Sequence, residues 1–304
     1  MKKVNVIGAV LVDAFSWPLD KFPEPGSKKG VKTKTLIFSP GGGAANTSSA
    51  LAQLGIHVGV FSKVGNDFSG RFAIEYLQKK GVDTSKILIT DYESTAFAYI
   101  GVPTKGDSSF FVTDGTNKTF SIQDVKSESL FDCEILFYQD LGSLPYLDFN
   151  AAAILKEASQ RGIITVVDEN NLNNINLLKE VLPYTNYFMP GYTAMNQIMP
   201  DLGPHQIASK LREMGADIVV LKLSGEGCLI LSNDGSYLEP SHAKKIVDTT
   251  GAGDCFDAGF IAGLATDELL KKCIAIGSDV ASVAVSSLGG APDIPTLDKF
   301  TCGT

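Results

Sequence analysis

The chain has 304 residues, 44% of them hydrophobic, a formal net charge of −8 and a pI near 5.0. This length and apolar content suffice for one large core, while the acidic balance argues against a nucleic-acid partner. No apolar stretch approaches the roughly 18 residues of a membrane span. The five cysteines are scattered, which favours a reduced, cytoplasmic location, and the three histidines lack the spacing of zinc ligands.

The apolar runs follow one another in an order typical of an α/β protein. A short strand ends at Gly8, and β-branched runs then alternate with helical stretches such as 68–80, 149–161 and 204–214. This alternation predicts parallel strands with crossover helices on both faces, and ligands at the carboxyl ends of the strands. Segments 10–38 and 94–122 combine alternating polarity with turn residues, and we expect them to form a small second sheet over the site.

Residues near the N-terminus suggest a site for a hydroxyl-bearing ligand. Positions 40–46 read PGGGAAN, where Gly41 and Gly42 let the backbone approach a ligand with no Cβ in the way. Asn46 offers both donors and acceptors, which suits a sugar hydroxyl, and Asp13 can accept hydrogen bonds from two neighbouring hydroxyls. The same residues also fit a plain turn, with Asn46 as a helix N-cap and Asp13 as an ordinary turn aspartate.

The run DTTGAGDCFDAGF at 248–260 is the most informative part of the chain. Three residues with little or no side chain, Gly251, Ala252 and Gly253, precede an apolar helical stretch. Their backbone N–H groups and the start of the helix are therefore expected to form a binding site for an anion, an anion cradle. A carboxylate beside such a cradle, here Asp254, suits the task of taking a proton from a nucleophile that attacks a bound phosphate. The alternative is a glycine-rich turn with Asp254 as a helix cap.

Five motifs together resemble the ribokinase family, also called the PfkB carbohydrate kinases. They are GxxxxD at 8–13, PGGGAAN at 40–46, VGND at 64–67, KLSGEG at 222–227 and DTTGAGD at 248–254. The resemblance implies a ribokinase-like three-layer α/β/α fold, with a mostly parallel central sheet and a small β-sheet lid. It implies one kinase domain over residues 1–304, and a homodimer formed through the lid.

The resemblance also implies roles for the matching residues. Asp254 is expected to be the general base, with the amides of Gly251, Ala252 and Gly253 as the anion hole for the transferred phosphoryl group. The positions expected to hold the sugar are Asp13, Gly41, Gly42 and Asn46. Phe97 and Phe110 are candidates for stacking on a nucleoside base.

ATP and Mg²⁺ are the expected cofactors, with K⁺ beside the anion hole. The positions expected to line the ATP site are Lys222, Ser224, Gly225, Gly227 and Ser278. The positions that match the monovalent-cation site are Asp248, Thr250, Ala284, Ser287, Gly289 and Asp293. Ser224 stands where glycine is usual, and Ser278 replaces an asparagine that often meets the adenine.

One family motif is missing. Most members carry Asn-x-x-Glu after the strand that ends here at Met189–Pro190, whereas this chain has Gly191 and Ala194. Those two groups normally organise Mg²⁺ and its waters. Their loss slows the reaction, moves the duty to another acid such as Asp168 or Glu169, or marks a protein that binds without turnover.

The function that these residues favour is ATP-dependent phosphorylation of a hydroxyl on a small sugar or polyol. An uncharged substrate is favoured over a sugar phosphate, because Ser109 stands where sugar kinases of the family often carry arginine. Two alternatives stay open. One is a nucleoside kinase, and the other is a non-catalytic member that binds a sugar or nucleotide.

Overall fold

A computed structural model describes residues 1–24, 26, 28–104, 109–286 and 292–301. Its strands are β1 (Val4–Ile7), β2 (Leu11–Leu19), β3 (Thr35–Gly41), β4 (Val58–Gly65), β5 (Ile87–Thr90), β6 (Ala96–Pro103), β7 (Ser109–Thr113), β8 (Ile135–Leu141), β9 (Ile164–Glu169), β10 (Tyr187–Phe188), β11 (Ile218–Lys222), β12 (Cys228–Ser232) and β13 (Gly235–Glu239). Its helices are α1 (Gly43–Gln53), α2 (Phe68–Lys79), α3 (Ser127–Leu130), α4 (Pro145–Asp148), α5 (Ala151–Gln160), α6 (Ile175–Val181), α7 (Tyr192–Ile198), α8 (Pro204–Glu213), α9 (Ala252–Ala265), α10 (Leu270–Ala284) and α11 (Asp298–Thr301).

The central sheet has nine strands in the described residues, in the order β13-β12-β11-β10-β9-β8-β1-β4-β5. From β11 to β5 all neighbours are parallel, and β12 and β13 are added antiparallel at one edge. The parallel arrangement follows from the alternation of strands and helices along the chain. The expected α/β class and mostly parallel sheet are therefore confirmed.

Helices cover both faces of this sheet. Side chains of β1 alternate between two apolar cores, with Val6 in one and Ile7 in the other. The first core also contains α1, α2, α9 and α10, and the second contains α5, α6 and α8. The helices predicted at 68–80, 149–161 and 204–214 are α2, α5 and α8, each within two residues of the predicted ends.

Helix α9 is buried along almost its whole length, from Cys255 to Ala265. A helix that is apolar on all sides belongs inside a protein, and two glycines let this one approach α10 closely. A Cβ at Gly259 would lie 2.8 Å from the Ile276 carbonyl, and one at Gly263 would lie 2.8 Å from the Cys273 Cα. The tight contact fixes the start of α9, which carries Asp254.

The second sheet has four strands in the order β3-β2-β6-β7. Strand β2 pairs antiparallel with β3 and parallel with β6, and β7 returns antiparallel along β6. These strands arise from the two segments predicted to form a lid. Two short 3₁₀ turns follow β7, one inside the second segment at Gly115–Lys118 and one beginning at its end, at Ile122–Asp124. Thr116 in the first of them donates to the Lys63 carbonyl at 2.7 Å.

Among the described helices, none combines the length and the apolar character needed to cross a membrane.

Candidate active site

The two glycine-rich motifs meet at the carboxyl ends of the central strands. Asn46 on α1 donates from Nδ2 to Asp254 Oδ2 on α9 at 2.8 Å, across a separation of 208 residues. Gln139, at the end of β8, donates from Nε2 to the other carboxylate oxygen, Oδ1, at 3.2 Å. Both oxygens of Asp254 are thus held by side-chain amides, which orient the carboxylate without giving it a counter-charge.

Asp254 does not cap its own helix. Gly251 is the N-cap of α9, in the left-handed region with φ 72°, and no side chain bonds to the amides of the first turn. A left-handed N-cap suits glycine because a Cβ is disfavoured there. The alternative of a capping aspartate is therefore set aside, since the carboxylate faces α1 and β8 instead.

The charge state of Asp254 is set by its surroundings. Burial of the carboxylate, followed by the nearby Asp140 carboxylate, raises the pKa of Asp254 to about 7, and the hydrogen bond from Asn46 opposes the shift. A base with a pKa near neutrality is well matched to proton abstraction at physiological pH. The geometry and the pKa both suit Asp254 to that task.

Of the residues expected to hold the sugar, Asn46 contacts Asp254, and the other three lie on β2, at the end of β3 and at the N-cap of α1. Gly41 lies against Asp13, where a Cβ would overlap the Asp13 carboxylate, and Gly42 adopts φ 89° against the Ala9 carbonyl. Burial raises the pKa of Asp13 to about 6. Gly42, not Asn46, is the N-cap of α1, and the Oδ1 atom of Asn46 is buried with no hydrogen-bond partner. An unpartnered amide oxygen here is suited to accept from a ligand hydroxyl.

The two aromatic candidates lie on opposite faces of the lid. Asp13 pairs with Ala98, and Phe110 pairs with Ile100 two residues further along β6, so Phe110 shares the face of Asp13. Phe97 pairs with Val12 and shares the other face, where it packs against the main core. Phe97 thus packs partly buried on the face away from Asp13, and its role in substrate binding stays a prediction.

A cavity of about 400 Å³ opens beside the start of α9. Its lining includes all five positions expected for ATP, namely Lys222, Ser224, Gly225, Gly227 and Ser278, together with Ala252 and Gly253 of the expected anion hole. One cavity thus joins the nucleotide positions to the phosphate cradle.

Local backbone strain marks the edge of this cavity. Ser224 has φ 56°, a left-handed conformation that disfavours a Cβ, which accounts for the glycine usual at this position. Gly227 has φ 102°, and a Cβ there would overlap the Glu239 carbonyl. The serine at 224 is tolerated at some cost, whereas Gly227 has no room for a side chain.

The monovalent-cation positions are only partly brought together. Thr250 donates from Oγ1 to Asp248 Oδ1 at 2.8 Å, and the backbone of Val247 donates to the Val285 carbonyl at 2.7 Å, next to Ala284. Asp293 is instead paired with Lys80, and its side chain is 96% exposed. The side chain of Asp293 is engaged in a surface ion pair, so the place of Asp293 in a cation site stays a prediction, and Ser287 and Gly289 lie outside the described residues.

The region of the missing Asn-x-x-Glu motif contains two other acids. The Gly191 N–H donates to Glu169 Oε1 at 3.2 Å, while Ala194 packs half-buried against the second core. Glu169 Oε2 and Asp168 Oδ1 are buried with no hydrogen-bond partner. Burial, followed by the neighbouring Asp168, raises the pKa of Glu169 to about 7. Free carboxylate oxygens next to Gly191 fit a hydrated divalent cation.

Three polar residues of the site were not predicted from the sequence. Gln139 holds Asp254, and Asp140, with φ 64°, accepts from the Ala9 N–H at 3.0 Å. Asp257 is fully buried and receives Lys222 Nζ at 3.0 Å. A signal existed for each of them, because a polar pair interrupts the apolar strand β8 near its end and an acid interrupts the apolar helix α9.

Comparison with known proteins decides the family. The sequence profile of the pfkB family carbohydrate kinases matches residues 1–297. The chain belongs to this family. PfkB kinases are phosphotransferases, so this chain is an enzyme of that class, and the expectation drawn from its motifs is confirmed.

Individual relatives share the family at low identity. An uncharacterized sugar kinase of Archaeoglobus fulgidus is 26% identical, over 81% of this chain and 98% of its own. A nucleoside kinase of Methanocaldococcus jannaschii is 26% identical, over 98% of this chain and 95% of its own. The solved structure of Arabidopsis thaliana ribokinase complexed with ribose and ATP superposes with a TM-score of 0.86 at 22% identity, covering 98% of this chain and 97% of that one. The ribokinase-like fold is thereby confirmed.

Proposed function

We propose that this PfkB kinase transfers the γ-phosphoryl group of ATP to a hydroxyl of an uncharged sugar or polyol. The observation that carries the proposal is the position of Asp254. Its carboxylate is held by Asn46 on the sugar side, and the residue before it, Gly253, lines the cavity proposed for ATP. The structure of the Arabidopsis ribokinase with ribose and ATP supports the same pair of ligands.

The proposed reaction is an in-line displacement. The hydroxyl oxygen forms a bond to the γ-phosphorus, the bond from that phosphorus to the β-phosphate oxygen breaks, and the hydroxyl proton passes to Asp254. The amides at Gly251, Ala252 and Gly253 would stabilise the charge that develops on the γ-phosphate oxygens. The chain thereby supplies alignment, a proton acceptor and fixed dipoles.

The expected metal ions fit residues near these phosphates. Mg²⁺, when bound, neutralises charge on the ATP phosphates, and the unpartnered oxygens of Asp168 and Glu169 are the groups that would hold it or its waters. For K⁺, Asp248 and Thr250 are the proposed protein groups.

An uncharged acceptor is favoured over a sugar phosphate by the charges around Asp254. Asp13 and Asp140 are carboxylic acids, and Lys118 in the lid is exposed. A phosphate on the acceptor would be brought next to these acids, and among the described residues of the lid Lys118 does not point to a built-in cation site, because it is exposed. Phe110, which is 61% exposed on the face of Asp13, favours a nucleoside as the second candidate because its ring is free to stack on a base.

We propose that the lid also joins two copies of the chain. Ile37 and Val112 share the lid face of Asp13 and are 42% and 64% exposed. A second copy would cover this apolar surface. Sedimentation velocity tests the idea, with a dimer expected for the native chain and a monomer for Val112→Glu, whose charge would have to be buried in the interface.

The direct test of the kinase is release of ADP in a coupled assay over neutral sugars, polyols and nucleosides, with and without K⁺. Turnover of a neutral sugar or polyol is expected. Turnover of nucleosides alone would establish the second candidate. Binding without ADP release, for every compound that binds, would identify the non-catalytic member.

A further inference from the structure

A buried ion cluster lies below the proposed phosphate site. Lys222 Nζ donates to Asp168 Oδ2 at 2.8 Å and to the two carboxylate oxygens of Asp257 at 3.1 and 3.0 Å. The side chains of Lys222, Asp168 and Asp257 are 15%, 7% and 0% exposed. Charges removed from water at this depth are costly unless they are paired and hydrogen-bonded. The cluster therefore fixes one ammonium group in place.

The ammonium lies against the phosphate cradle. A Cβ built on Gly253 would be 3.5 Å from Lys222 Nζ, so the lysine head group lies close to the second residue of α9. Among the described residues that line the 400 Å³ cavity, Lys222 alone carries a charge. If a nucleoside triphosphate binds in this cavity, the ammonium group of Lys222 lies at the end proposed for the terminal phosphates.

The geometry points to Lys222 as a catalytic residue that contacts the terminal phosphates of ATP, and to Asp257 as the residue that positions it. The inference rests on the nucleotide role proposed above for the cavity. An ammonium has three N–H donors, and Nζ lies within hydrogen-bond distance of three carboxylate oxygens. If one N–H is shared between the two oxygens of Asp257, as their near-equal distances allow, the third N–H is available to a phosphate oxygen. A lysine bound in this way stabilises negative charge without reorganising during the transfer.

The sequence gives a reason for a contact between Lys222 and the phosphates. Gly191 and Ala194 bring no polar side chain to this region, so the fixed ammonium donor of Lys222 would supply a phosphate contact that these two positions cannot. Asp257 follows Asp254 by three residues on α9, which places the proton acceptor and the anchor of Lys222 on neighbouring positions of one helix surface. Gln139 links them further, since its Nε2 contacts both Asp254 and Asp168.

Nucleotide binding tests the role of Lys222 without any sugar. Calorimetric titration would compare ADP with AMP on the native chain and on Lys222→Met, which keeps the length of the side chain. A charged hydrogen bond is worth roughly ten- to a hundredfold in affinity, so the variant should lose that factor for ADP and change less than about threefold for AMP. An unchanged ratio of ADP to AMP affinity would overturn the contact with the phosphates.

A double-mutant cycle tests Asp257 as a positioning residue. Asp257→Asn should weaken ADP binding by several-fold in the native background and have no further effect when Lys222 is already Met, because Asp257 acts through the lysine. The pair Lys222→Met/Asp257→Asn also removes one of the two carboxylates that the single lysine variant leaves unpaired, so it keeps the test valid if that single variant unfolds. Equal effects of Asp257→Asn in both backgrounds would mean a structural role only.

The control pair is Lys3→Met/Asp132→Asn. It removes an ion pair of similar length, 2.7 Å, but on the surface and away from the cavity, and should leave both nucleotide affinities unchanged. If the native chain binds ADP as expected but turns over no substrate, the kinase proposal and the catalytic role of Lys222 fail, while its contact with the nucleotide phosphates stands. If it binds neither nucleotide, the kinase proposal and this contact both fail.

Discussion

The two sides of the candidate site differ in how firmly the rest of the molecule holds them. The proposed phosphate side lies at the start of α9. This helix is buried from Cys255 to Ala265, and its glycines let its backbone lie close to α10. The proposed sugar side lies at the four-stranded sheet, whose β7 exposes Phe110, Phe111 and Val112. Catalytic groups on rigid elements keep their geometry, whereas a sheet with few packing contacts can become ordered when a substrate binds. The chemistry should therefore be pre-formed, and the recognition of the sugar should depend on binding.

The sharpest test of the phosphate side is Asp254→Asn. The amide nearly matches the carboxylate in shape but does not accept the hydroxyl proton, so kcat should fall at least ~10²-fold while sugar affinity stays within a few-fold. Steady-state kinetics and calorimetry with the sugar measure the two quantities. Thermal unfolding serves as the control, because Asn46 and Gln139 both donate to this residue. A variant that keeps more than about a tenth of the native kcat would remove Asp254 from the role of base.

How far the site could be predicted differs between the same two sides. Asp254 and its cradle are contiguous in sequence, so Gly251 to Gly253 and the apolar helix after them indicate both the anion site and the acid. Asp257 and Gln139 were missed because their roles depend on partners far along the chain. Lys222 lies 35 residues from Asp257, and Asp254 lies 115 residues from Gln139.

The lid shows a second limit of the sequence. Alternating polarity predicted its strands correctly, but two aromatic residues on neighbouring strands gave no sign of which face each would occupy. Only the strand register separates Phe110, on the face of Asp13, from Phe97, on the face that packs against the core. Asp293 illustrates the same limit, since nothing in the sequence indicated that its side chain would pair with Lys80.

On the sugar side, Asp13→Ala should weaken binding of the true substrate by roughly ten- to a hundredfold, because a buried hydrogen bond to a charged group is lost. Asn46→Ala should weaken it less. In the native chain, sugar binding should also slow hydrogen exchange in segment 94–122, which contains β6 and β7. Equal rates of hydrogen exchange in this segment with and without the sugar would contradict a lid that becomes ordered on binding. The two sides of the site would then not differ in their response to a ligand.

The pH dependence of kcat/KM tests the protonation state of Asp254, and the expected effect is smaller than that of the substitutions above. The pKa of Asp254 is raised to about 7, and only its deprotonated form accepts a proton, so the rate should be full above that value. It should fall about tenfold for each pH unit below about 7. Asp13 has a raised pKa of about 6, so Asp13→Asn is the matched control and should leave the midpoint near 7. A midpoint that moves with Asp13→Asn would place the titrating base on the sugar side.

The smallest expected effect concerns the acids that stand near the missing motif. Restoring the family pair as Gly191→Asn with Ala194→Glu should alter the Mg²⁺ dependence of kcat by a few-fold and leave the sugar KM unchanged. A Cβ at Gly191 would sit 3.7 Å from Glu169 Oε1, so an asparagine fits there and would meet the carboxylate proposed to hold the metal or its waters. Ala194 is half-buried against the second core, and Ala194→Gln, which adds the bulk without the charge, separates a packing effect from a metal effect. A Mg²⁺ titration identical to that of the native chain would mean that Asp168 and Glu169 already fill the role. A changed sugar KM would mean instead that the two sides of the site are mechanically linked.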